Sequence, residues 1–198
     1  MSRFAGYHPN MEAKTVSETR ITMAQMMTPN DANVLGKVFG GSILALIDLT
    51  ASAVSSKFAG RVCVTAAFDR VDFHEPIEIG ELVELHGVVS FVGRTSVEVT
   101  IDVYATQLTA HRKHHVNTAR VTMVAVEDGK PVPVPRLICQ TYEEKLAFLE
   151  GRLRRETRSK WLKEMDSLNA VLREANEATL DQYLASEGSL FEALEAAR

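Results

Sequence analysis

Apolar and polar side chains alternate over residues 19–27 (TRITMAQMM), the period of a half-buried strand. A turn-rich loop follows at 28–33 (TPNDAN). Gly36, Gly40 and Gly41 then lead into residues 42–54, which predict a helix with Ser42 as its N-cap. Nearly every side of that helix is apolar or small, the pattern of a helix placed inside a fold. Four runs rich in Val, Thr, Ile or Phe come next, at 61–73, 82–92, 95–106 and 117–126, and read as strands. Gly-containing turns at 92–95 and 128–130, with Pro76 and Gly80 between the first two runs, leave no room for helical crossovers. Consecutive strands must then pair antiparallel. The pattern predicts an α+β domain, one antiparallel five-stranded sheet wrapped around one central helix.

The segment 131–135 (PVPVP) is extended and closes this unit. Thr141, with Glu144 three residues on, reads as a capping box that opens a helical region running almost to the C-terminus. Leu146, Leu149 and Leu153, and later Leu168, Val171, Leu172 and Ala175, recur at helical spacing. The chain is thus expected to divide into a sheet-and-helix domain at 15–140 and a helical C-terminal extension at 141–198. Arg152, Arg154, Arg155, Arg158, Lys160 and Lys163 form a short basic run, which reads as a solvated helix face.

Charge and composition narrow the function. With 26 Asp and Glu against 22 Lys and Arg, the formal charge is −4, which argues against a general polyanion binder and so against nucleic acid. An apolar content of 45% suits a soluble core. The longest uncharged stretch, 38–47, falls short of the roughly 18 residues of a membrane helix, and residues 1–18 hold no continuous apolar run of the secretory-signal kind. The expectation is a cytoplasmic protein with no membrane partner. Cys63 and Cys139 lack paired spacing and read as reduced thiols.

Asp48 is the only charged side chain between Lys37 and Lys57, in the middle of the apolar helix. A carboxylate in such surroundings costs several kcal/mol unless hydrogen bonds or charges compensate it, so it is either half-solvated at a helix edge or put to use. Gly36, Gly40 and Gly41 let backbone approach a ligand and lead to a helix N-terminus, whose free N–H groups suit a developing oxyanion; a plain helix-entry turn would need the same glycines. Asn33 in the preceding loop could orient a water or a carbonyl, or only cap a turn. His111, His114 and His115 are interleaved with Arg112 and Lys113 and lack an accompanying carboxylate or cysteine, so they read as an exposed hairpin loop rather than a metal site. No G-x-S-x-G is present, and no histidine is tied by motif to a serine.

Met27-Thr28-Pro29-Asn30-Asp31-Ala32-Asn33-Val34-Leu35-Gly36, then Phe39-Gly40-Gly41 and Asp48, resembles the loop and central helix of the acyl-CoA thioesterase branch of the hotdog-fold superfamily. Residues 64–73 with Pro76 and Gly80, Gly93-Arg94-Thr95-Ser96, 121–126 and 129–135 follow in the family's order. The resemblance covers about residues 17–160, and Arg155-Glu156-Thr157 with Trp161 resembles the tail of the cytosolic long-chain branch. It implies a hotdog fold and hydrolysis of fatty acyl-CoA to fatty acid and CoA, with no metal and no cofactor beyond the CoA of the substrate. Asp48 would be general base or nucleophile, Asn33 of the partner subunit would position water or substrate, and N–H groups near Gly40 and Gly41 would hold the thioester oxygen. Arg94, Thr95 and Ser96 would meet the CoA phosphates. The assembly implied is a homodimer joined through sheet edges, itself forming a trimer of dimers; the acyl-chain length is not legible in the sequence, because pocket depth depends on how Leu46, Leu49, Phe58 and Phe68 pack across the interface. Two other readings stand beside it: a hotdog hydratase or dehydratase using His74, and a non-catalytic acyl-CoA sensor or scaffold.

Overall fold

The computed structural model describes residues 11–69, 71–73 and 75–198. His74, Arg70 and most of the stretch considered for a secretory signal therefore lie outside the described residues. Five long strands and one central helix make up the first compact unit, which extends through Gly151. They are β1 (Ile21–Met26), α1 (Gly40–Ala59), β2 (Cys63–Phe68), β3 (Leu82–Val92), β4 (Ser96–Gln107) and β5 (Arg112–Glu127). The strands lie in the order β1-β3-β4-β5-β2, every long pair antiparallel, with the two-residue strand Lys130–Pro131 added on β5. This is the hotdog arrangement, a curled sheet around α1.

The apolar run that marks α1 ends where the chain can no longer continue it. Gly60 takes the left-handed conformation (φ 65°) and donates its N–H to the Ser56 carbonyl, a glycine C-cap. The helix starts at Gly40, two residues before the expected Ser42 cap; Phe39 is the extended residue at its N-cap, and the Ser42 N–H instead bonds the Phe39 carbonyl inside the first turn. Ile43, Leu46, Ile47, Ala51, Val54 and Phe58 are buried against the inward-facing Val83, Leu85 and Val89 of β3, Val97, Val99 and Ile101 of β4, and Val121 and Met123 of β5. Helix and sheet approach most closely at Gly87, where a Cβ would come within 2.8 Å of Val54 and 2.9 Å of Thr50. By length and composition α1 could cross a membrane, yet half of it is buried inside the fold, the situation of a core helix.

Two strand boundaries differ from the sequence pattern. β2 covers 63–68 rather than 61–73: a bulge between Thr65 and Ala67 shifts the register, and beyond the strand ends Val62 accepts from the Val126 N–H of β5 and the Asp69 N–H donates to the Arg120 carbonyl. β5 begins at Arg112, so His114 and His115 belong to a strand paired with the end of β4 and not to a hairpin loop; only His111, at φ 51°, makes the turn. These strand ends are held by polar pairs, such as Lys113 with Glu84 at 2.6 Å, which an apolar pattern does not reveal.

The capping box at Thr141 is present: the Glu144 N–H donates to Thr141 Oγ1, and the Glu144 carboxylate accepts from the N–H groups of Gln140 and Thr141. It opens α2 (Tyr142–Glu174), followed by α3 (Glu177–Ala185) and α4 (Leu190–Ala197). The first turns of α2 belong to the sheet unit. There Phe148 packs on Phe91 at 5.0 Å between ring centres, and Gly151 lies so near Phe91 that a Cβ would come within 2.5 Å. The second unit is Arg152–Arg198, in which Leu168 and Leu194 are buried.

Candidate active site

Helical periodicity turns Leu46, Ile47 and Thr50 toward the sheet and leaves Leu44 and Leu49 exposed, with Asp48 half-buried on the border between the two faces. That border faces β2. Thr65 donates its hydroxyl to Asp48 Oδ1 at 2.5 Å, and the same hydroxyl lies 3.6 Å from the sulfur of Met123, its partner across the β2–β5 ladder. A hydroxyl donor fixes the orientation of the carboxylate. Asp48 Oδ2 has no hydrogen bond among the described residues and stays open to a ligand or water. Thr65 carries no assignment in the sequence reading; the only signal for it is a hydroxyl in register with a buried methionine.

The loop before α1 is built by its own polar side chains. Asp31 accepts from the Thr28 N–H and hydroxyl at 2.9 and 2.7 Å, bonds that hold its carboxyl below the usual aspartate value. Asn33 Oδ1 accepts from the N–H groups of Leu35 and Lys37 at 2.9 and 3.2 Å, so this side chain organises the turn. The turn pushes Val34 and Leu35 fully into solvent. At the helix N-terminus a Cβ on Gly41 would run into the Phe39 ring, and the Phe73 ring stands 3.7 Å from the Cβ position of Gly40. The N–H groups of Gly40 and Gly41 open the helix and have no intrahelical acceptor. Gly41 lies seven residues before Asp48, about 10 Å along the axis. Within one chain, Asn33 makes no hydrogen bond to Asp48.

Arg94, Thr95 and Ser96 form the β3–β4 turn, one residue beyond the row Thr65–Met123–Val97 and two strands across from Thr65, roughly 10 Å. Backbone bonds from Ala125 to Thr95 O and from Val134 to Arg94 O, both 3.0 Å, anchor the turn, so the proline-rich segment has a use beyond closing the sheet. The Arg94 side chain is exposed and unpaired among the described residues. Leu46 and Phe58 are buried in the chain's own core, whereas Leu49 and Phe68 are exposed.

Among the described residues, no strand pairs with the outer edge of β2. Phe39, Leu44 and Leu49 at and along α1, and Val62, Val64, Phe68 and Phe73 in and next to β2, are exposed large apolar side chains. Among the described residues no group of histidine, cysteine and carboxylate side chains could hold a metal: His114 lies 3.8 Å from Glu75, and His115 bonds Thr118 at 3.1 Å. Burial pushes the Cys63 thiol above its usual value, so it is no ready nucleophile.

Residues 35–110 match the family model of the thioesterase superfamily. The uncharacterised acyl-CoA thioester hydrolase YkhA of Bacillus subtilis is 35% identical over 134 residues, covering 67% of this chain and 78% of that protein. A hexameric acyl-CoA thioesterase superposes with a TM-score of 0.73 at 37% identity, over 77% of this chain and 98% of its own. The acyl-CoA hydrolase of Staphylococcus aureus, solved with butyryl coenzyme A, coenzyme A and coenzyme A disulfide, superposes with a TM-score of 0.72 at 29% identity, over 82% of this chain and 100% of its own. That enzyme has also been solved with an asparagine, an aspartate and a threonine singly replaced by alanine, and the replaced positions are separated by the same 15 and 17 residues as Asn33, Asp48 and Thr65. The chain belongs to the thioesterase superfamily, among its acyl-CoA thioester hydrolases.

Proposed function

We propose that the protein hydrolyses the thioester of fatty acyl-CoA to free fatty acid and CoA, in the cytoplasm, with Asp48 as general base or nucleophile. The observation that carries this is the orientation of a half-buried carboxylate on a core helix by Thr65, with its second oxygen open beside exposed apolar surface. Asp48 either takes a proton from the attacking water or itself attacks the carbonyl carbon. In both cases the C–S bond breaks, CoA leaves as the thiol, and water supplies the acid's second oxygen.

One thioester carbonyl cannot contact both the N–H groups of Gly40 and Gly41 and Asp48 of the same helix, given about 10 Å between them. The active site therefore takes Asp48 and Thr65 from one subunit, and Asn33 with the Gly40–Gly41 N–H groups from its partner. The unpaired edge of β2 and the exposed apolar face of α1 are the surface through which two subunits join sheet to sheet, and the dimers assemble further into hexamers. Arg94, Thr95 and Ser96 meet the CoA phosphates. No metal takes part.

Release of free CoA by Asp48→Asn tests the reading. The substitution keeps the shape and removes the basic oxygen, and turnover should fall by at least about a hundredfold with the fold intact, the low end of what a general base supplies. Activity of the native chain should survive a chelator. Undiminished turnover in the variant, or loss with the chelator, contradicts the assignment.

A further inference from the structure

Residues 152–163 of α2 carry six Lys and Arg against one Glu, whereas residues 174–195 carry six Asp and Glu and no Lys or Arg. The unit 152–198 is therefore split into a cationic and an anionic half. Its apolar surface is split in the same way: Leu153, Trp161 and Leu162 are exposed within the cationic half, and Leu184, Leu190 and Phe191 within the anionic half. Only Leu168 and Leu194 are buried in the whole unit. So small a core does not order 47 residues unaided, and exposed apolar side chains of this number mark a surface that something covers. Solved relatives are covered almost whole by about four-fifths of this chain, so the shared fold does not account for its full length.

We propose that residues 152–198 are a self-association module, in which the cationic half of one copy docks on the anionic half of a second copy, and reciprocally. A two-fold axis makes both contacts at once, because each copy presents both surfaces. Leu153 and Trp161, eight residues apart and so on one side of α2, then meet Leu184, Leu190 and Phe191 of the other copy at the centre, where burial supplies affinity. Exposed Lys160 and Lys163, on the Leu153 side of α2, flank that centre opposite Asp181, Glu187 and Glu195, where opposite charge sets orientation and rate. An anionic membrane would meet the cationic half alone; it would repel the anionic half and leave its apolar residues uncovered.

The test uses the full chain. Nitrogen-15-labelled and unlabelled chains are refolded together, treated with a carbodiimide, which joins amines to carboxylates at contact distance, and analysed by mass spectrometry. Cross-links between Lys160 or Lys163 and Glu187 or Glu192 should appear in mixed-isotope pairs. The Lys160 cross-links should fall several-fold in Lys163→Glu alone and in Asp181→Lys/Glu195→Lys alone, and return when the two variants are mixed. Cross-links only within one isotope would place the contact inside a single chain and overturn the proposal. So would mixed pairs unaffected by either charge reversal, or an absence of mixed pairs together with sedimentation of the chain on phosphatidylserine vesicles.

Discussion

Asp48 stands out in sequence because no other charge occurs between Lys37 and Lys57. Thr65 does not, since its role depends on a register that only folding sets: opposite Met123, with its hydroxyl in hydrogen-bond contact with Asp48. A hydrogen bond to a charged group is worth about 1.5–3 kcal/mol, so Thr65→Val, which keeps the shape and loses the donor, should lower kcat roughly 10- to 100-fold, and Thr65→Ser should restore most of it. Equal kcat for the valine and native enzymes would remove Thr65 from the site. Arg94 belongs to the same scale. If its exposed guanidinium grips CoA phosphate, Arg94→Ala raises KM for acyl-CoA with kcat nearly unchanged, and leaves acyl-pantetheine, which lacks the nucleotide, unaffected. An equal loss on both substrates would contradict that contact.

At the level of elements, the five strands and the helix were legible, because each carries the period its burial demands. Their ends were less so. β2 stops early at a bulge, and β5 starts early on His-Arg-Lys-His-His, whose pairing is polar and leaves no apolar alternation to read. The expectation that α1 is covered on all sides met a helix covered on one, with Leu44 and Leu49 exposed on the other. Gly87 is the tightest point between α1 and the sheet. Gly87→Ala sets a methyl against Thr50 and Val54, and should cost about 1–3 kcal/mol, read as a lowered Tm. An unchanged Tm would mean that α1 shifts freely on the sheet.

For the whole molecule, the proposal of a site shared between two copies rests on the exposed stripe on α1, the edge of β2 that no described strand pairs, and the separation of the Gly40–Gly41 N–H groups from Asp48. Neither Asn33 nor Asp48 reveals this alone, because in sequence they are simply 15 residues apart. Equal amounts of Asn33→Ala and Asp48→Ala chains, each inactive alone, form mixed dimers in which one interface site carries both native residues and the other carries neither. After subunit exchange, CoA release should recover to about a quarter of the native rate, since half of the dimers are mixed and each has one working site. No recovery, with mixed dimers demonstrated by mass spectrometry, would place Asn33 and Asp48 in separate roles and contradict a site shared between subunits.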